Sequence, residues 1–310
     1  RLGITRAAVW KQIAKLRQRG YVIEASTRLG YRLSAQPEPL EQERILELLG
    51  DHPFRQHMIV LDSVDSTNNY LKLLAGQGAP HGTIAIADEQ TGGRGRQGRS
   101  FASPKGVGLY YSLLLRPDCA PAEASHLTAM VAVAVCDAIE AAAGVRPGIK
   151  WTNDIILNEK KLVGILCESV SYGYQQQGRG ILCGIGINLA QPQSYFDAAD
   201  LPHGTSLALQ GAAVDLATDP AWLAEGLTDF GFDRNLYTFA RDGFAPFREE
   251  YKAACVNLGR RVTFDLPDGS QGAGEAVDVD AEGRLVVRTD AGEQHVFTGE
   301  VSVHGIYGAV

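Results

Sequence analysis

The sequence predicts an α+β protein with a central mixed sheet, a small helix–hairpin unit before it and a small antiparallel barrel after it. Three observations support this fold class. In the central part, strand-like and helix-like segments do not alternate strictly, which favours a mixed sheet over a doubly wound parallel sheet. From Gly259 onward, short strands recur between Asp/Gly turns. At the start of the chain, a basic amphipathic helix precedes two short alternating strands.

Composition indicates a folded protein of two or three domains. The chain has 310 residues, of which 45% are hydrophobic, and this is enough to build a full core. We find no signal peptide and no apolar run of the length needed to span a bilayer. The 5 cysteines form no C-x-x-C pair and the 7 histidines form no H-x-x-x-H spacing. We therefore expect reduced thiols, a cytoplasmic protein and no transition-metal site.

Charge is distributed unevenly along the chain. Residues 1–34 carry eight basic side chains and one acidic side chain, whereas the whole chain has a net charge of −7. The remainder is therefore strongly acidic. A basic head on an acidic body suggests that the head, and not the body, meets nucleic acid.

The basic head has the pattern of a helix followed by a hairpin. Thr5 predicts the N-cap of the helix and Gly20 its end, and Val9, Ile13 and Leu16 form one apolar stripe. An ordinary solvated amphipathic helix has the same pattern. The charge bias favours a helix that binds DNA.

Two short alternating runs, 21–23 and 31–33, predict the hairpin. Helix and hairpin together resemble the recognition helix and wing of a winged helix-turn-helix domain, here assigned to residues 1–36. Because the chain begins at Arg1, we expect the earlier helices of such a domain to be missing, which leaves DNA binding by this chain open. By this resemblance the DNA-contacting residues are Thr5, Arg6, Ala7, Lys11 and Lys15.

A linker-like segment, 34–39, separates this head from a central domain of residues 37–256, and residues 257–310 form the barrel domain. The helices predicted in the central domain cover 41–49, 67–75, 122–143 and, with internal breaks, 219–242. Its predicted strands cover 58–62, 83–87, 109–115, 155–157, 162–168 and 181–188. The predicted barrel strands cover 261–265, 274–279, 285–289 and 293–297.

A glycine-rich stretch, "GRGRQGR" at 93–99, satisfies the pattern G-x-G-x-x-G. A dinucleotide-binding loop requires a helix immediately after it, but here a turn-forming run, 100–106, leads into another strand. The stretch also contains three arginines, whose guanidinium groups match phosphate and carboxylate oxygens. We interpret it as a mobile loop that closes over an anion; an ordinary solvated loop is the alternative.

Four further stretches carry polar residues or glycines where helices and strands begin. "DSTNNYL" (65–71) precedes a helix and "KWTND" (150–154) precedes a strand. "KKLVGIL" (160–166) places a lysine in a buried strand, where an ammonium group requires a partner. "GIGIN" (184–188) places two glycines in an apolar strand, which indicates close approach of a ligand or another backbone. Each stretch alone also fits a cap, a turn or core structure.

Taken together, "GRGRQGR", "KWTND", "KLVGIL" and "GIGIN" resemble, in order and spacing, the corresponding stretches of biotin protein ligases. The resemblance implies a mixed-sheet catalytic domain of the class II synthetase-like type and a C-terminal SH3-like barrel. The basic head makes the chain similar to the bifunctional branch, which also represses biotin operons. A lipoate ligase or octanoyltransferase on a related fold, or a biotin-sensing repressor without catalysis, remains an alternative.

The resemblance also implies roles for individual residues. The catalytic cations are Arg94, Arg96, Arg99 and Lys161. The biotin-binding residues are Ser66, Thr67, Asn68, Gln90, Arg94, Gly95, Arg96, Lys161, Gly164 and Gly184. The ATP-binding residues are Arg96, Arg99, Phe101, Lys150, Asn153, Asp154 and Asn188.

The implied reaction joins two anions, biotin and ATP, so positive charge and positioning are its main requirements. Mg²⁺ would enter with ATP, and Asp154 is its candidate ligand. The implied partners are a biotin carboxyl carrier protein, operator DNA and a second copy of the chain in a liganded homodimer. Three positions depart from the family pattern: Thr152 replaces a common proline, Phe101 a common tryptophan and His304 an arginine.

Overall fold

In the computed structural model, a seven-stranded mixed sheet forms the centre of the molecule. The structure describes residues 5–18, 22–26, 30–35, 40–116, 124–172, 178–215, 219–228, 238–239, 241–266, 270–297 and 301–307. A two-stranded hairpin precedes the large sheet in the chain, and a five-stranded antiparallel sheet follows it. The predicted fold class is confirmed.

The hairpin consists of β1 (Val22–Ser26) and β2 (Gly30–Ala35). The large sheet has the order β3-β4-β5-β9-β8-β7-β6, in which β3 and β4 are parallel and the other neighbours antiparallel. Its strands are β3 (Met58–Leu61), β4 (Thr83–Ala87), β5 (Gly108–Leu115), β6 (Gly148–Lys150), β7 (Asp154–Leu157), β8 (Lys160–Tyr172) and β9 (Gly178–Asn188).

Seven α-helices have both ends within the described residues. They are α1 (Arg6–Gln18), α2 (Gln42–Leu49), α3 (Thr67–Gly76), α4 (Ala124–Ala143), α5 (Gln193–Ala198), α6 (Asp219–Gly226) and α7 (Ala245–Ala254). The interrupted helix predicted over 219–242 is observed as α6 and as helical residues at 238–239 and 241–242, and most of the intervening positions lie outside the described residues. The sequence did not predict α5 or α7.

One helix corrects a statement made from the sequence. Within α4, the segment His126–Ala143 has a mean hydropathy of 1.5 and is long and apolar enough to cross a membrane by those two criteria. In this fold it is a core helix that packs against β8, α6 and α7. Met130, Val135 and Ile139 have no exposed surface. An alanine-rich helix that is apolar on nearly every side fits the interior of a large domain.

The N-terminal unit matches its predicted pattern where it is described. The Thr5 hydroxyl accepts a hydrogen bond from the Ala8 amide (3.2 Å), as expected for a helix cap. β1 and β2 pair antiparallel. Arg6, Ala7 and Lys11 are exposed, so they are available to a partner. The Lys15 side chain and the predicted stop at Gly20 lie outside the described residues.

The C-terminal sheet has the order β13-β12-β11-β10-β14. Its strands are β10 (Arg261–Asp265), β11 (Gln271–Val279), β12 (Leu285–Thr289), β13 (Gly292–Val296) and β14 (Val301–Val303). Arg248 on α7 donates to the Val279 carbonyl oxygen (2.7 Å), and the Trp151 indole donates to that of Gly283 (3.0 Å). These bonds attach the small sheet beside the central one, close to the "KWTND" stretch.

Candidate active site

A polar cavity of about 250 Å³ lies where the 93–101 loop, the start of α3, and strands β7, β8 and β9 meet the C-terminal sheet. It collects most of the site residues predicted from the sequence. Those that line it are Ser66, Thr67, Asn68, Gln90, Arg94, Gly95, Arg96, Arg99, Phe101, Lys150, Asn153, Asp154, Lys161, Gly164 and Gly184. The three arginines and the lysine therefore share one cavity.

The glycine-rich loop closes on itself through its own backbone. The Phe101 amide donates to the Gly93 carbonyl oxygen (2.8 Å), and the Gly95 amide donates to that of Arg99 (2.7 Å). Gly93 is required for this closure because a Cβ at that position would collide with the Phe101 carbonyl oxygen. Gly98, with φ +74°, turns the chain at the tip. The strand β5 follows, so no helix follows the loop, as predicted.

Arg94 is held by a carboxylate that the sequence did not single out. Its guanidinium lies 2.9 Å from Glu168 Oε1 on β8 and donates to Asn69 Oδ1 (3.1 Å). The Asn68 amide donates to the other oxygen of Glu168 (2.9 Å). Glu168 thus connects the loop to the first turn of α3.

Arg96 reaches the "KWTND" stretch. Its guanidinium donates to Asn153 Oδ1 (2.7 Å), and the Asn153 amide donates to the Ile165 carbonyl oxygen (2.9 Å). Asn153 therefore has a fixed orientation between the loop and β8. Arg99, at the far end of the loop, also lines the cavity.

Lys161 has the partner that its place in a strand requires. Its ammonium lies 2.7 Å from Asp154 Oδ1 on the neighbouring strand β7. The other oxygen, Asp154 Oδ2, accepts a hydrogen bond from the hydroxyl of Tyr307 (3.1 Å). Burial, and secondly the adjacent Asp154 carboxylate, raise the pKa of Tyr307 well above its ordinary value, so the phenol remains a donor.

The start of α3 presents hydroxyl and amide groups to the cavity instead of capping the helix. The N-cap residue Ser66 makes no side-chain cap hydrogen bond there. Thr67 donates through its hydroxyl and its amide to Gln90 Oε1 (3.0 and 2.9 Å). Ser112 on β5 donates to Thr67 Oγ1 (2.6 Å) or to Asn68 Oδ1 (2.7 Å). These buried bonds fix the orientation of each group and support a binding surface over a simple cap.

The strand glycines mark close approaches of side chains, whereas the sequence predicted approach of a ligand or another backbone. A Cβ at Gly184 would lie 2.5 Å from the Asn68 amide oxygen, and one at Gly164 would lie 2.9 Å from the Phe101 ring. A Cβ at Gly186 would also collide with that ring. The groups that approach here are the side chains of Asn68 and Phe101.

One residue that the resemblance assigns to ATP does not line the cavity. Asn188 is buried and accepts a hydrogen bond from the Gln191 amide (3.0 Å), and it is not among the residues that line the cavity. His304 is exposed and also lies outside the lining. The C-terminal part of the chain lines the cavity instead through Val301 and Ser302 of β14 and through Tyr307, whose ring lies beneath the Lys150 ammonium at 5.0 Å.

Three family models match the chain in the order of its three units. Residues 1–32 match a helix-turn-helix domain, residues 60–188 the biotin/lipoate A/B protein ligase family, and residues 258–303 the C-terminal domain of biotin protein ligases. The bifunctional ligase/repressor BirA of Bacillus subtilis is 35% identical over 302 residues, which are 97% of this chain and 91% of that protein. The chain belongs to the biotin protein ligase family.

Other members of the ligase family agree with this assignment. The biotin--[acetyl-CoA-carboxylase] ligase of Paracoccus denitrificans is 34% identical over 79% of this chain and all of that protein. The structure of the Aquifex aeolicus biotin protein ligase in complex with biotin and ATP superposes with a TM-score of 0.63 at 28% identity. That match covers 80% of this chain and 99% of the other.

Proposed function

We propose that the protein is an ATP-dependent biotin protein ligase. It forms biotinyl-5′-AMP from biotin and ATP and then transfers the biotinyl group to a lysine of the biotin carboxyl carrier protein of acetyl-CoA carboxylase. The observation that carries this proposal is the convergence of Arg94, Arg96, Arg99 and Lys161 on a single cavity. Relatives with these names, and a neighbouring structure that holds biotin and ATP, support the choice of substrates.

The first step has a clear electrostatic requirement. A carboxylate oxygen of biotin attacks the α-phosphorus of ATP, a new P–O bond forms, and the bond to the bridging oxygen breaks to release pyrophosphate. Both reactants are anions, so they must be held together against repulsion. Phosphoryl transfer depends mainly on positioning and on fixed positive charge, and four cations around one cavity supply both.

Each cation has a proposed part in that step. Lys161 contacts the biotin carboxylate and the α-phosphoryl oxygens, because it extends from β8 into the cavity. Arg94 and Arg96, which line the cavity from the loop, bind both ligands, and Arg99 with Lys150 binds the nucleotide. The biotin head is bound by Ser66, Thr67, Asn68, Gln90, Gly95, Gly164 and Gly184. The nucleotide is contacted by Phe101 and Asn153.

The residues present fit a magnesium ion that arrives with the nucleotide. Asp154 is the one carboxylate among the described lining residues, and no group of three or more His, Cys, Asp or Glu side chains that could hold a metal occurs in the described part of the chain. Mg²⁺ usually binds through one or two carboxylates together with substrate phosphates. Asp154 is the proposed ligand, because an ionised carboxylate has about four acceptor sites and its bonds to Lys161 and Tyr307 use only two of them. The ion would neutralise part of the phosphate charge.

In the second step, the amine of the carrier lysine attacks the acyl carbon of the adenylate, and AMP leaves as the new amide bond forms. The adenylate is reactive toward water. A loop that covers the cavity protects it until the carrier arrives, and the 93–101 loop is in the position to do so.

The decisive experiment is mass spectrometry of a carrier domain incubated with the protein, biotin and Mg-ATP. We expect a mass increase of one biotinyl group and, separately, biotin-stimulated exchange of pyrophosphate into ATP. Absence of both would reject the proposal. The matched family model covers biotin and lipoate ligases, so lipoate is the alternative substrate. Separate calorimetric titrations of the protein with biotin and with lipoate test this alternative. We expect binding of biotin alone.

We also propose that the chain acts as a biotin-responsive repressor. Three observations support this proposal: the match of residues 1–32 to a helix-turn-helix domain, the exposed basic side chains Arg6 and Lys11 on α1, and the ligase/repressor relatives. Thr5, Arg6, Ala7, Lys11 and Lys15 would contact operator DNA. A gel shift with biotin operator DNA, with and without biotin and ATP, tests this role independently of the ligase assay. Absence of a shift in every condition would reject it.

Two further proposals concern organisation. We propose domains at residues 1–36, 37–256 and 257–310, which limited proteolysis followed by mass spectrometry would test. We also propose a homodimer in the liganded state, by analogy with the family. Sedimentation of the protein with biotin and ATP, compared with the protein alone, should show a concentration-dependent increase in mass.

A further inference from the structure

Tyr307 connects the C-terminal segment to the proposed catalytic lysine. It follows β14 in the chain, and its side chain lines the cavity. Its hydroxyl donates to one oxygen of Asp154 (3.1 Å), while the other oxygen of Asp154 lies 2.7 Å from the Lys161 ammonium. One carboxylate therefore links the phenol to the ammonium group.

The tyrosine ring is fixed on two sides. The His203 ring stacks on it with centroids 5.4 Å apart and an angle of 25° between the planes, and the Lys150 ammonium lies 5.0 Å from its centre. The Lys161 amide donates to the His203 carbonyl oxygen (2.7 Å), so the stacking partner is itself attached to the backbone of the lysine. The Tyr307 ring and Lys161 are therefore connected twice, once through the Asp154 carboxylate and once through His203.

The backbone of Tyr307 also departs from ordinary geometry. Its φ is +58°, in the left-handed region that bulky residues seldom adopt. Such a conformation persists where surrounding contacts determine it, and it is found most often at functional sites. At Tyr307 these contacts are the stack on His203, the cation above the ring and the bond to Asp154.

We propose that Tyr307 is a positioning residue for adenylate formation: it anchors Asp154 so that this carboxylate aims the Lys161 ammonium at the reacting phosphoryl group. The inference rests on the proposed ligase function and deepens it. A lysine side chain has several rotatable bonds, and a carboxylate held by one bond would still rotate. A carboxylate held at both oxygens fixes the direction of the ammonium group, which matters most when charge develops in the transition state.

The experiment compares Tyr307→Phe with Tyr195→Phe in the full chain. Tyr307→Phe removes the hydroxyl and retains the ring stack, whereas Tyr195→Phe is the same chemical change at a half-buried tyrosine outside the cavity lining. The readouts are kcat for biotin-dependent pyrophosphate exchange, calorimetric Kd for biotin without ATP or magnesium, and thermal midpoint. For Tyr307→Phe we expect kcat to fall about 10-fold, as for loss of a bond to a charged group, with biotin Kd within about three-fold of wild type.

The result is decisive in either direction. Three outcomes would overturn the inference. The kcat of Tyr307→Phe could stay within about two-fold of wild type, Tyr195→Phe could lose as much kcat, or the biotin Kd of Tyr307→Phe could weaken as much as its kcat falls. Tyr307→Leu, which also removes the ring, provides a second test and should lower kcat further. If wild type itself shows no biotin-dependent exchange, the ligase proposal fails; if wild type is active and both Tyr307 variants match it, the positioning role alone fails.

Discussion

The Lys161 ammonium and the Asp154 carboxylate lie 2.7 Å apart across two neighbouring strands, and both residues line the cavity. In β8 and β7, Lys161 pairs with Ile156 and Asp154 pairs with Gly164. The two charged side chains meet because both extend from the sheet into the same space. This arrangement keeps a cation available without leaving it unpaired in a partly buried site.

Removing that cation should abolish most adenylation. We expect Lys161→Ala to lower pyrophosphate exchange by about 100-fold or more, the usual cost of losing a charge-stabilising group at a reacting centre. Lys160→Ala, at the adjacent position outside the cavity lining, is the matched control and should retain exchange. Circular dichroism should show that both variants fold. Normal turnover by Lys161→Ala would contradict the role given to this lysine.

Breaking the pair between Arg94 and Glu168 should affect biotin binding modestly. The two side chains are 43% and 26% exposed, so solvent screens their interaction. Because Glu168 and an anionic ligand compete for the same guanidinium, Glu168→Gln should tighten biotin binding, by no more than about five-fold. Isothermal titration at low and high salt would measure the change.

A matched control exists on the surface. Glu159 pairs with Arg260 at 3.5 Å, outside the cavity lining, so Glu159→Gln should leave biotin affinity unchanged. Weaker binding by Glu168→Gln would show that the carboxylate supports the site through Asn68 more than it competes for Arg94.

Adding a methyl group at Gly184 should disturb the biotin side of the cavity. Its Cβ would lie 2.5 Å from the Asn68 amide oxygen, so Gly184→Ala should destabilise the fold by about 1–3 kcal/mol and weaken biotin binding. Gly76, at the end of α3, has no heavy atom within 4 Å of such a Cβ. Gly76→Ala should therefore be neutral within about 0.5 kcal/mol in denaturant titrations. Equal behaviour of the two variants would argue against close packing at Gly184.

Two buried thiols should make the fold sensitive to alkaline pH. Burial raises the pKa of Cys136 to about 12 and that of Cys255 to about 11, from an ordinary value of 9.0. The unfolded chain ionises first, so their contribution to stability is complete below pH 9.0 and is lost as pH rises through the folded values. The unfolding free energy should therefore decrease from pH 9 upward.

The same shifts predict slow alkylation. In the native protein at pH 8, both thiols should react with iodoacetamide far more slowly than in denaturant, because thiolate is the reactive form. Peptide mapping would follow each cysteine separately. Rapid native labelling of Cys136 would mean that the site is accessible and ionised, contrary to the structure.

The sequence predicted the sheet well because its strands are long apolar runs between turn residues. It missed β6 and β14, each three residues long, since so short a segment has no measurable periodicity. It also missed α7, where Pro246 stands at the second position of a new helix just beyond Gly243. Proline in the first turn of a helix is a usable signal, and it was not applied beyond residue 242.

The site residues that lie in dense polar or glycine-rich stretches could be predicted from the sequence. Those that stand alone in the chain could not. Arg94, Arg96 and Lys161 lie in dense polar or glycine-rich stretches, whereas Tyr307 is a single tyrosine contributed by the last segment. Glu168 is one acidic residue in a strand, and its pairing with the loop arises only from tertiary structure. Asn188 shows the opposite error, since it lies within a conspicuous motif and its side chain bonds to Gln191 away from the cavity.

The backbone closure of the 93–101 loop also bears on ligand affinity. The Gly93–Phe101 and Gly95–Arg99 bonds restrict the backbone of this segment, and a residue restricted in this way has less conformational entropy to lose when a ligand binds. If Arg94 binds the substrate as proposed, the substrate must replace Glu168 at its guanidinium. Part of the binding free energy would then come from the replacement of one counter-ion by another.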